Sequence, residues 1–277
     1  MSLNPIPLAG VIGHPIAHSK SPQIHGHWLK NMGLAGHYVP MDVAPDDLET
    51  VLRSLPKAGF VGANITIPHK EKVIEIADLV TDRAILIGAA NTLIFRKDGK
   101  IHADNTDGYG FVKNLQSAGI GWNPSAGPAA MLGAGGAARA VVAALLDAGV
   151  PEILISNRTR VRAEALQQEF GKRLRVFDWV QAGNIMEYAA TVVNTTSLGM
   201  LGKPPLRVPL DGLQKGAVVT DLVYAPLKTN LLLTAEEMGC RTVDGLGMLL
   251  YQAVPGFERW FGQRPTVDSA TRAAALR

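Results

Sequence analysis

The stretch AAMLGAGGAARAVVAALLDAGVPEILISNRT, residues 129–159, decides the fold. An apolar run, AAML, leads into Gly133-Ala134-Gly135-Gly136-Ala137-Ala138, then a helical pattern, then a second apolar run ending at Ser156. That is strand, glycine turn, helix, strand, the opening unit of a dinucleotide-binding sheet with the spacing G-x-G-x-x-A. Gly133 suits the tight turn, Gly135 lets backbone approach a pyrophosphate at the helix N-terminus, and Ala138 allows close packing of helix on strand. A small-residue helix start packed on a sheet also fits this motif, so its context has to decide.

The context lies at the end of the second strand. Enzymes that use NAD usually carry an acidic residue there, which accepts from the ribose 2′-hydroxyl. Here the residues are Asn157-Arg158-Thr159, with Arg160 and Arg162 close behind. A carboxylate repels a 2′-phosphate, whereas guanidinium groups bind one through paired, charge-assisted hydrogen bonds. NADP is therefore expected over NAD. Asn157 as a turn residue, Thr159 as a helix cap and the arginines as a solvated face remain an alternative.

Outward from this unit, alternation continues on both sides. LRVFD, ATVVN and AVVTDLVY read as further strands, with helical patterns in TRVRAEALQQEFG, TNLLLTAEEMG and GLGMLLYQAVPGFERWFG. The first hundred residues read as βαβαβα: LAGVIG, SPQIHGHWLKNMG, HYVPMDV, PDDLETVLRSL, GFVGANITIP and HKEKVIEIADLV. NTLIFRKDGKIHADNTDG then predicts a hairpin turning at Lys97-Asp98-Gly99, and TDGYGFVKNLQSAG a helix. GIGWNPSAGP looks like a linker. The closing VDSATRAAALR reads as a helix whose packing partner the sequence does not give.

At 277 residues the chain has room for two modest domains. With 47% hydrophobic and 18% charged residues it reads as an ordinary globular protein, and polar residues such as Arg139 and Asp147 interrupt every apolar run before it could span a membrane. MSLNPIPLAGVIG lacks the basic start and long apolar core of a secretory leader, and the lone Cys240 can form no internal disulfide; both fit a cytoplasmic protein. The formal charge of +3 is spread along the chain rather than gathered in blocks, so nucleic acid is not expected as a partner. Monomer and homodimer both stay open. His14 and His18 are four apart, but Pro15 lies between them and no Cys or carboxylate cluster completes a site, so no metal is expected. A G-x-S-x-G nucleophile elbow is also missing.

Three polar clusters fall on loops where a parallel sheet binds ligands: His18-Ser19-Lys20-Ser21-Pro22, Asn64-Ile65-Thr66-Ile67-Pro68-His69-Lys70 and Asn105-Thr106-Asp107-Gly108. Ser21 could instead cap a helix, and Thr66 could be an ordinary strand residue. In order and spacing, from SKSP at 19–22 to GLGMLLYQ at 245–252, these clusters resemble the shikimate dehydrogenase family, and the resemblance runs over essentially the whole chain.

The resemblance implies an α/β protein of two parts with a cleft between them. One is a mainly parallel α/β substrate domain at 1–108 and 246–277; the other is a Rossmann-type NADP domain at 109–245. It implies reversible NADPH-dependent reduction of 3-dehydroshikimate to shikimate, a step of chorismate and aromatic amino-acid biosynthesis. Lys70 and Asp107 match the family's catalytic pair. Ser19 and Ser21 match the substrate carboxylate's holders, Asn64, Thr66, Asn91 and Gln252 match residues on ring hydroxyls, and Tyr224 matches a tyrosine at the cleft. Gly133, Ala134, Gly135, Gly136 and Ala137 match the glycine loop, and Asn157, Arg158, Thr159 and Arg162 match the NADP-selecting turn. Thr195, Gly245 and Met248 match neighbours of the nicotinamide, and Gly245, Met248 and Gln252 at i, i+3 and i+7 are expected on one helix face.

The chemistry points the same way from the residues themselves. Hydride addition to a ketone leaves an alkoxide that needs a proton, and a lysine ammonium can supply it. In the oxidative direction that lysine must first lose its proton. Asp107 has three roles open: orienting Lys70, accepting from a hydroxyl, or sharing the proton. A quinate or quinate/shikimate dehydrogenase using NAD and a non-catalytic nicotinamide-binding regulator are the alternatives, the first disfavoured by the arginine turn and the second having little need for both Lys70 and Asp107.

Overall fold

A computed structural model describes residues 6–277; the absence of a leader was read partly from residues 1–5, which lie outside the described residues. In chain order the elements begin with β1 (Leu8–Gly13), α1 (Ser21–Asn31), β2 (His37–Asp42), α2 (Leu48–Ser54), β3 (Phe60–Ile65), α3 (Lys72–Ile76) and β4 (Leu79–Val80). They continue with α4 (Asp82–Ile87), β5 (Thr92–Phe95), β6 (Ile101–Asp104), α5 (Asp107–Ser117), β7 (Ala129–Leu132), α6 (Gly136–Asp147), β8 (Ile153–Ser156) and α7 (Arg160–Phe170). The chain closes with β9 (Leu174–Phe177), β10 (Thr191–Asn194), β11 (Val218–Asp221), α8 (Asn230–Glu237), β12 (Arg241–Val243), α9 (Leu246–Phe261) and α10 (Ser269–Ala275).

Two compact units result: one ends at Thr106 and resumes at Leu250–Arg277, the other is Asp107–Leu249. The sequence puts these divisions after residues 108 and 245, whereas the units divide at the start of α5 and within α9.

The first unit holds a six-stranded sheet in the order β2-β1-β3-β5-β6-β4. Its β1 runs parallel to both β2 and β3, but β5 is antiparallel to β3 and to β6. That single reversal has a positional consequence. It brings the start of β5 to the edge where β1, β3 and β6 end, so residues just before β5 join the loops that follow the parallel strands. β2 is an edge strand; Pro40 costs it no ladder bond it needs, and Tyr38 is its one buried residue. The core between sheet and helices is built from Ile12, Leu48, Leu52, Ala63, Ile65, Val73, Leu93 and Ile101.

Where the pattern of HKEKVIEIADLV predicts one helix, the structure has two short elements, α3 and β4, with α4 following directly. Here α3 stops at Ile76 because Asp78 is drawn to β6: its amide donates to Ile101 O at 2.9 Å and its carboxylate accepts from Ile101 N at 2.7 Å and from Arg53. Thr81 then caps α4, its hydroxyl accepting from Ala84 N at 3.3 Å. The hairpin is as expected, with Arg96 N donating to Lys100 O and Gly99 in the left-handed region at φ 82°. The partner of α10 is α1, and Trp28 Nε1 donates to Thr266 O and Thr271 Oγ1, both at 3.2 Å.

The second unit is a fully parallel sheet in the order β12-β11-β10-β7-β8-β9. Counted from β7, that is the 3-2-1-4-5-6 order of dinucleotide-binding folds, with its switch point between β7 and β10. Every residue of β7, β8, β10 and β11 is buried, as strands covered on both faces require. β12, a strand the sequence pattern did not show, extends the sheet beside β11. Cys240 is a small buried hydrophobe among Ala217, Val219 and Leu232, its thiol pushed up by desolvation.

Candidate active site

In the second unit the site is built on the switch point. Gly133 has φ 107°, and a Cβ there would lie 2.7 Å from Thr195 Oγ1, so the turn needs glycine twice over. Thr195 closes the crevice from the β10 side, its amide and hydroxyl both donating to Leu132 O, at 2.8 and 2.9 Å. Beyond the turn, Gly135, Gly136 and Ala137 are exposed, and a Cβ on either glycine would meet nothing within 4 Å. The first turn of α6 thus presents bare amides to an open cradle, the arrangement that holds a pyrophosphate.

Asn157 ties this loop to the turn behind it. Its Oδ1 accepts from Ala134 N at 3.2 Å while its Nδ2 donates to Thr159 O at 2.7 Å. Thr159 is the N-cap of α7, but its side chain makes no capping bond there. Arg158 and Arg162 are exposed, and among the described residues neither makes an ion pair. Arg160 between them is bound to Asp178 and Glu164. Two guanidinium groups at this turn thus have no acidic partner among the described residues.

The far end of the same sheet edge is held by Asp221, which the sequence reading did not single out. Its carboxylate accepts from Asn194 Nδ2 at 2.9 Å, Val223 N at 2.9 Å and Thr229 Oγ1 at 2.7 Å, and burial pushes its pKa up despite those donors. Asp221 therefore fixes the loop that carries Tyr224, a half-buried phenol whose pKa is raised by desolvation. Gly245 lies one residue before α9 rather than on its face, and a Cβ there would stand 2.4 Å from Leu222 O. The i, i+3, i+7 face expected of Gly245, Met248 and Gln252 is thus corrected to Met248 and Gln252, four apart in α9. Gly245 serves by close backbone approach, and Met248 packs at the margin of the second unit's core.

In the first unit the expected substrate residues collect at the edge where β1, β3 and β6 end. Ser19 lies in the loop after β1, and Ser21 is the first residue of α1 rather than its cap; Ser21 N donates to Ser19 Oγ at 3.3 Å. Asn64 is buried near the end of β3, where its Nδ2 donates to Asn91 O at 3.1 Å and to Thr92 Oγ1 at 3.3 Å. Asn91, just ahead of β5, accepts at Oδ1 from Thr106 N at 2.9 Å and donates from Nδ2 to Gln252 Oε1 at 2.9 Å. Thr106 also donates to Gln252 O at 2.8 Å, so the chain's return through α9 is fastened to the edge of the sheet.

Thr66 and Lys70 sit in the loop after β3, both half-buried. That loop is pinned at both ends: Thr66 N donates to Ile12 O at 2.9 Å at its start, and at its far end the buried His69 ring bonds Val43 O at 2.8 Å and Lys70 O accepts from Ala90 N at 2.8 Å. Asp107, buried, follows Thr106 directly and opens α5. Among the described residues no group of three or more His, Cys, Asp and Glu could hold a metal, and no helix is long and apolar enough to cross a membrane.

Sequence reasoning missed Tyr38 and Thr92, which join these groups from behind. Tyr38 Oη donates to Asn64 Oδ1 at 2.7 Å. The available signal was Tyr38 itself, a phenol on an apolar strand position, since a buried tyrosine hydroxyl usually has a partner.

A 3-2-1-4-5-6 sheet with a glycine loop at its switch point and arginines at the ribose turn, carried in one chain with a second α/β unit that gathers serines, amides and a lysine, defines a two-domain nicotinamide dehydrogenase of a hydroxylated acid. Comparison with known proteins narrows that class. Three family models match: the shikimate dehydrogenase substrate binding domain over residues 11–93, shikimate/quinate 5-dehydrogenase over 123–199, and the shikimate 5′-dehydrogenase C-terminal domain over 245–274. A shikimate dehydrogenase (NADP(+)) of Cereibacter sphaeroides is 70% identical over 271 residues, 98% of this chain and 97% of the relative. The chain belongs to the shikimate dehydrogenase family. The shikimate 5-dehydrogenase of Thermus thermophilus, solved in complex with NADP(H) and shikimate, superposes with a TM-score of 0.87 at 38% identity, covering 98% of each chain. A quinate dehydrogenase of Corynebacterium glutamicum in complex with NAD also gives 0.87, at 31% identity, covering 97% of this chain and 98% of that one. The fold thus hosts more than one specificity, and particular residues must decide between them.

Proposed function

We propose that this chain is an NADP-dependent shikimate dehydrogenase that reversibly reduces 3-dehydroshikimate to shikimate. The observation that carries the reading is the hydrogen-bonded set Asn64, Asn91 and Gln252 at the sheet edge, flanked by Ser19 and Ser21 on one loop and by Thr66 and Lys70 on the next. Hydroxyls and amides in fixed array suit a small ring bearing several hydroxyls and one carboxylate. Ser19 and Ser21 hold the carboxylate, Asn64, Thr66, Asn91 and Gln252 hold ring hydroxyls, and Tyr224 borders the ring.

The second unit fits NADP by its open cradle at Gly135 and Gly136 and by the two arginines without ion pairs. Gly133 to Ala137 hold the pyrophosphate, Asn157 and Thr159 shape the ribose turn, and Arg158 and Arg162 bind the 2′-phosphate. Thr195, Gly245 and Met248 border the nicotinamide. When bound, NADP(H) supplies or accepts the hydride. Lys70 moves the proton: its ammonium Nζ gives a proton to the oxygen that becomes the alcohol, and in oxidation the neutral amine takes it back. For Asp107 three roles stay open: it orients Lys70, accepts from a ring hydroxyl or shares that proton.

The residue set supports turnover over mere nicotinamide sensing, since a sensor needs neither a proton donor nor a carboxylate to serve it. The arginine turn supports NADP over NAD, and so disfavours a quinate dehydrogenase that uses NAD. A cytoplasmic location and a role in chorismate biosynthesis belong to the same reading. One assay tests it: shikimate and quinate, each offered with NADP and with NAD, followed by the absorbance of the reduced nicotinamide. The expected order places shikimate with NADP first; a clear preference for quinate with NAD overturns the reading.

A further inference from the structure

The reversal of β5 sets Thr92, its first residue, directly opposite Asn64 in the antiparallel pair with β3. Thr92 also follows Asn91 in the chain, so one buried hydroxyl stands between the two amides assigned to the substrate's ring hydroxyls.

The proton directions around that hydroxyl follow from neighbours that have only one role each. The Asn91 backbone carbonyl only accepts, so the amide nitrogen of Asn64 faces it, at 3.1 Å. The Thr106 backbone N–H only donates, so the amide oxygen of Asn91 faces it, at 2.9 Å. Thr92 Oγ1 lies 3.3 Å from that nitrogen and 3.0 Å from that oxygen. It therefore accepts from Asn64 and donates to Asn91, and a single oxygen does both only as a hydroxyl. Thr106 Oγ1, 3.2 Å from Thr92 Oγ1, has a nearer acceptor for its own proton in Gln252 O at 2.8 Å.

The two amides are thereby held in opposite orientations. Asn91 turns its oxygen toward Thr92 and Thr106 and its nitrogen toward Gln252 Oε1, at 2.9 Å. Asn64 does the reverse: its two amide hydrogens go to Asn91 O and Thr92 Oγ1, and one lone pair of its oxygen takes the Tyr38 proton at 2.7 Å. What Asn64 has for a ligand is the other lone pair, so it meets a ring hydroxyl as an acceptor. Without the Thr92 oxygen, one Asn64 hydrogen would be buried with no acceptor and Asn91 Oδ1 would lose a donor, and both amides would be less sharply aimed. Thr92 is itself only 3% exposed, so it acts through the amides rather than on a ligand.

Resting on the assignment of Asn64 and Asn91 to the substrate's ring hydroxyls, we infer that Thr92 is a positioning residue, whose hydroxyl holds those two amides in opposite orientations for substrate recognition. The test is steady-state kinetics and direct NADP titration on the full-length enzyme with Thr92→Val, Thr92→Ser and Asn64→Ala. Thr92→Val keeps the shape and removes the hydroxyl; it raises KM for shikimate by about three- to tenfold, the size expected for a neutral hydrogen bond, with kcat within about threefold and NADP affinity unchanged. Thr92→Ser keeps the hydroxyl and removes only the methyl, and its KM stays within about twofold of wild type. A packing role predicts the opposite order, so a Thr92→Ser variant as impaired as Thr92→Val, or a Thr92→Val variant with wild-type KM, overturns the proposal. If Thr92→Val does not fold, Thr92→Ser is compared with Thr92→Ala, a pair that differs by the oxygen alone, and equal KM in that pair has the same consequence. Asn64→Ala separates this inference from the reading it rests on. An unchanged KM there removes Asn64 from the substrate and overturns both, whereas a raised KM in Asn64→Ala beside an unaffected Thr92→Val overturns the role of Thr92 alone.

Discussion

The Arg160 guanidinium is bound by the Asp178 carboxylate at 2.6 Å, across the turn that connects β8 to α7. Glu164, one helical turn on, takes its Nε at 2.7 Å, and the two acids hold the guanidinium more firmly protonated than usual. The turn therefore contains three arginines in two different settings. Arg160 braces α7 against the end of β9, whereas Arg158 and Arg162, which have no acidic partner among the described residues, are the two proposed for the 2′-phosphate.

That division yields the first prediction. Arg158→Ala should lower kcat/KM for NADP by about ten- to a hundredfold, the range for hydrogen bonds to a charged group, and leave the value for NAD within about threefold. Arg160→Ala should change selectivity little, because its side chain is already engaged. Steady-state kinetics with each cofactor decides; equal selectivity in wild type and Arg158→Ala removes this turn from cofactor choice.

Ser19 has its hydroxyl oxygen, not its hydroxyl proton, engaged within the loop. Its Oγ accepts from Ser21 N at 3.3 Å, so its own proton remains to be donated to a carboxylate oxygen. Ser19→Ala should weaken shikimate binding by about tenfold or more, again because the acceptor is charged, with NADP binding unaffected. Calorimetric titration of each ligand separates the outcomes. Parallel losses for both would reveal damage to the fold instead.

Much of this arrangement could be read from sequence because it depends on local rules. The glycine turn at Gly133, the hairpin at Lys97-Asp98-Gly99 and the missing acid at Asn157 each follow from short-range sterics or charge. The single helix read over HKEKVIEIADLV failed for a non-local reason: Asp78 has its partners in Ile101 and Arg53, both more than twenty residues away, and periodicity cannot see them. Tyr38 and Asp221 escaped notice for the same cause. Each looks like an ordinary strand residue until the topology brings Asn64 to one and Asn194 with Thr229 to the other. The reversed strand β5, which carries Asn91 to the correct edge, could be inferred from the hairpin, but its pairing with β3 could not.

His25 makes stability depend on pH in a direction that can be worked out. Burial lowers its pKa from 6.5 to about 3, so the folded chain keeps it neutral while the unfolded chain protonates it below about 6.5. The folded state then binds fewer protons, and stability present above pH 6.5 is lost as the pH falls toward 3. At about 1.4 kcal/mol per unit, the loss between about pH 6 and about pH 4 is about 2 to 3 kcal/mol. A His25→Phe variant should lack this component. Urea unfolding of both proteins across that interval gives the comparison, and the slopes against pH matter rather than the absolute stabilities; parallel slopes would falsify the assignment of a buried neutral imidazole.

Lys70 and Asp107 carry the final prediction. The Lys70 loop is pinned by His69 to Val43 O and by its own carbonyl to Ala90 N, so a change at the side-chain tip need not disturb the backbone. Lys70→Met retains most of the apolar stem and removes the ammonium, which should cost kcat about 10²- to 10⁴-fold as for loss of a general acid or base. Shikimate affinity measured directly should fall far less, because the serines and amides that hold the ring remain. A collapse of affinity with kcat preserved at saturation would make Lys70 a binding group and return the proton to another donor. Asp107 then separates the mechanisms still open. If it orients Lys70 or shares its proton, Asp107→Asn lowers kcat strongly and shifts the pH profile, because an amide keeps the shape but not the charge. If it only accepts from a substrate hydroxyl, the same substitution raises KM and leaves the pH dependence of kcat where it was.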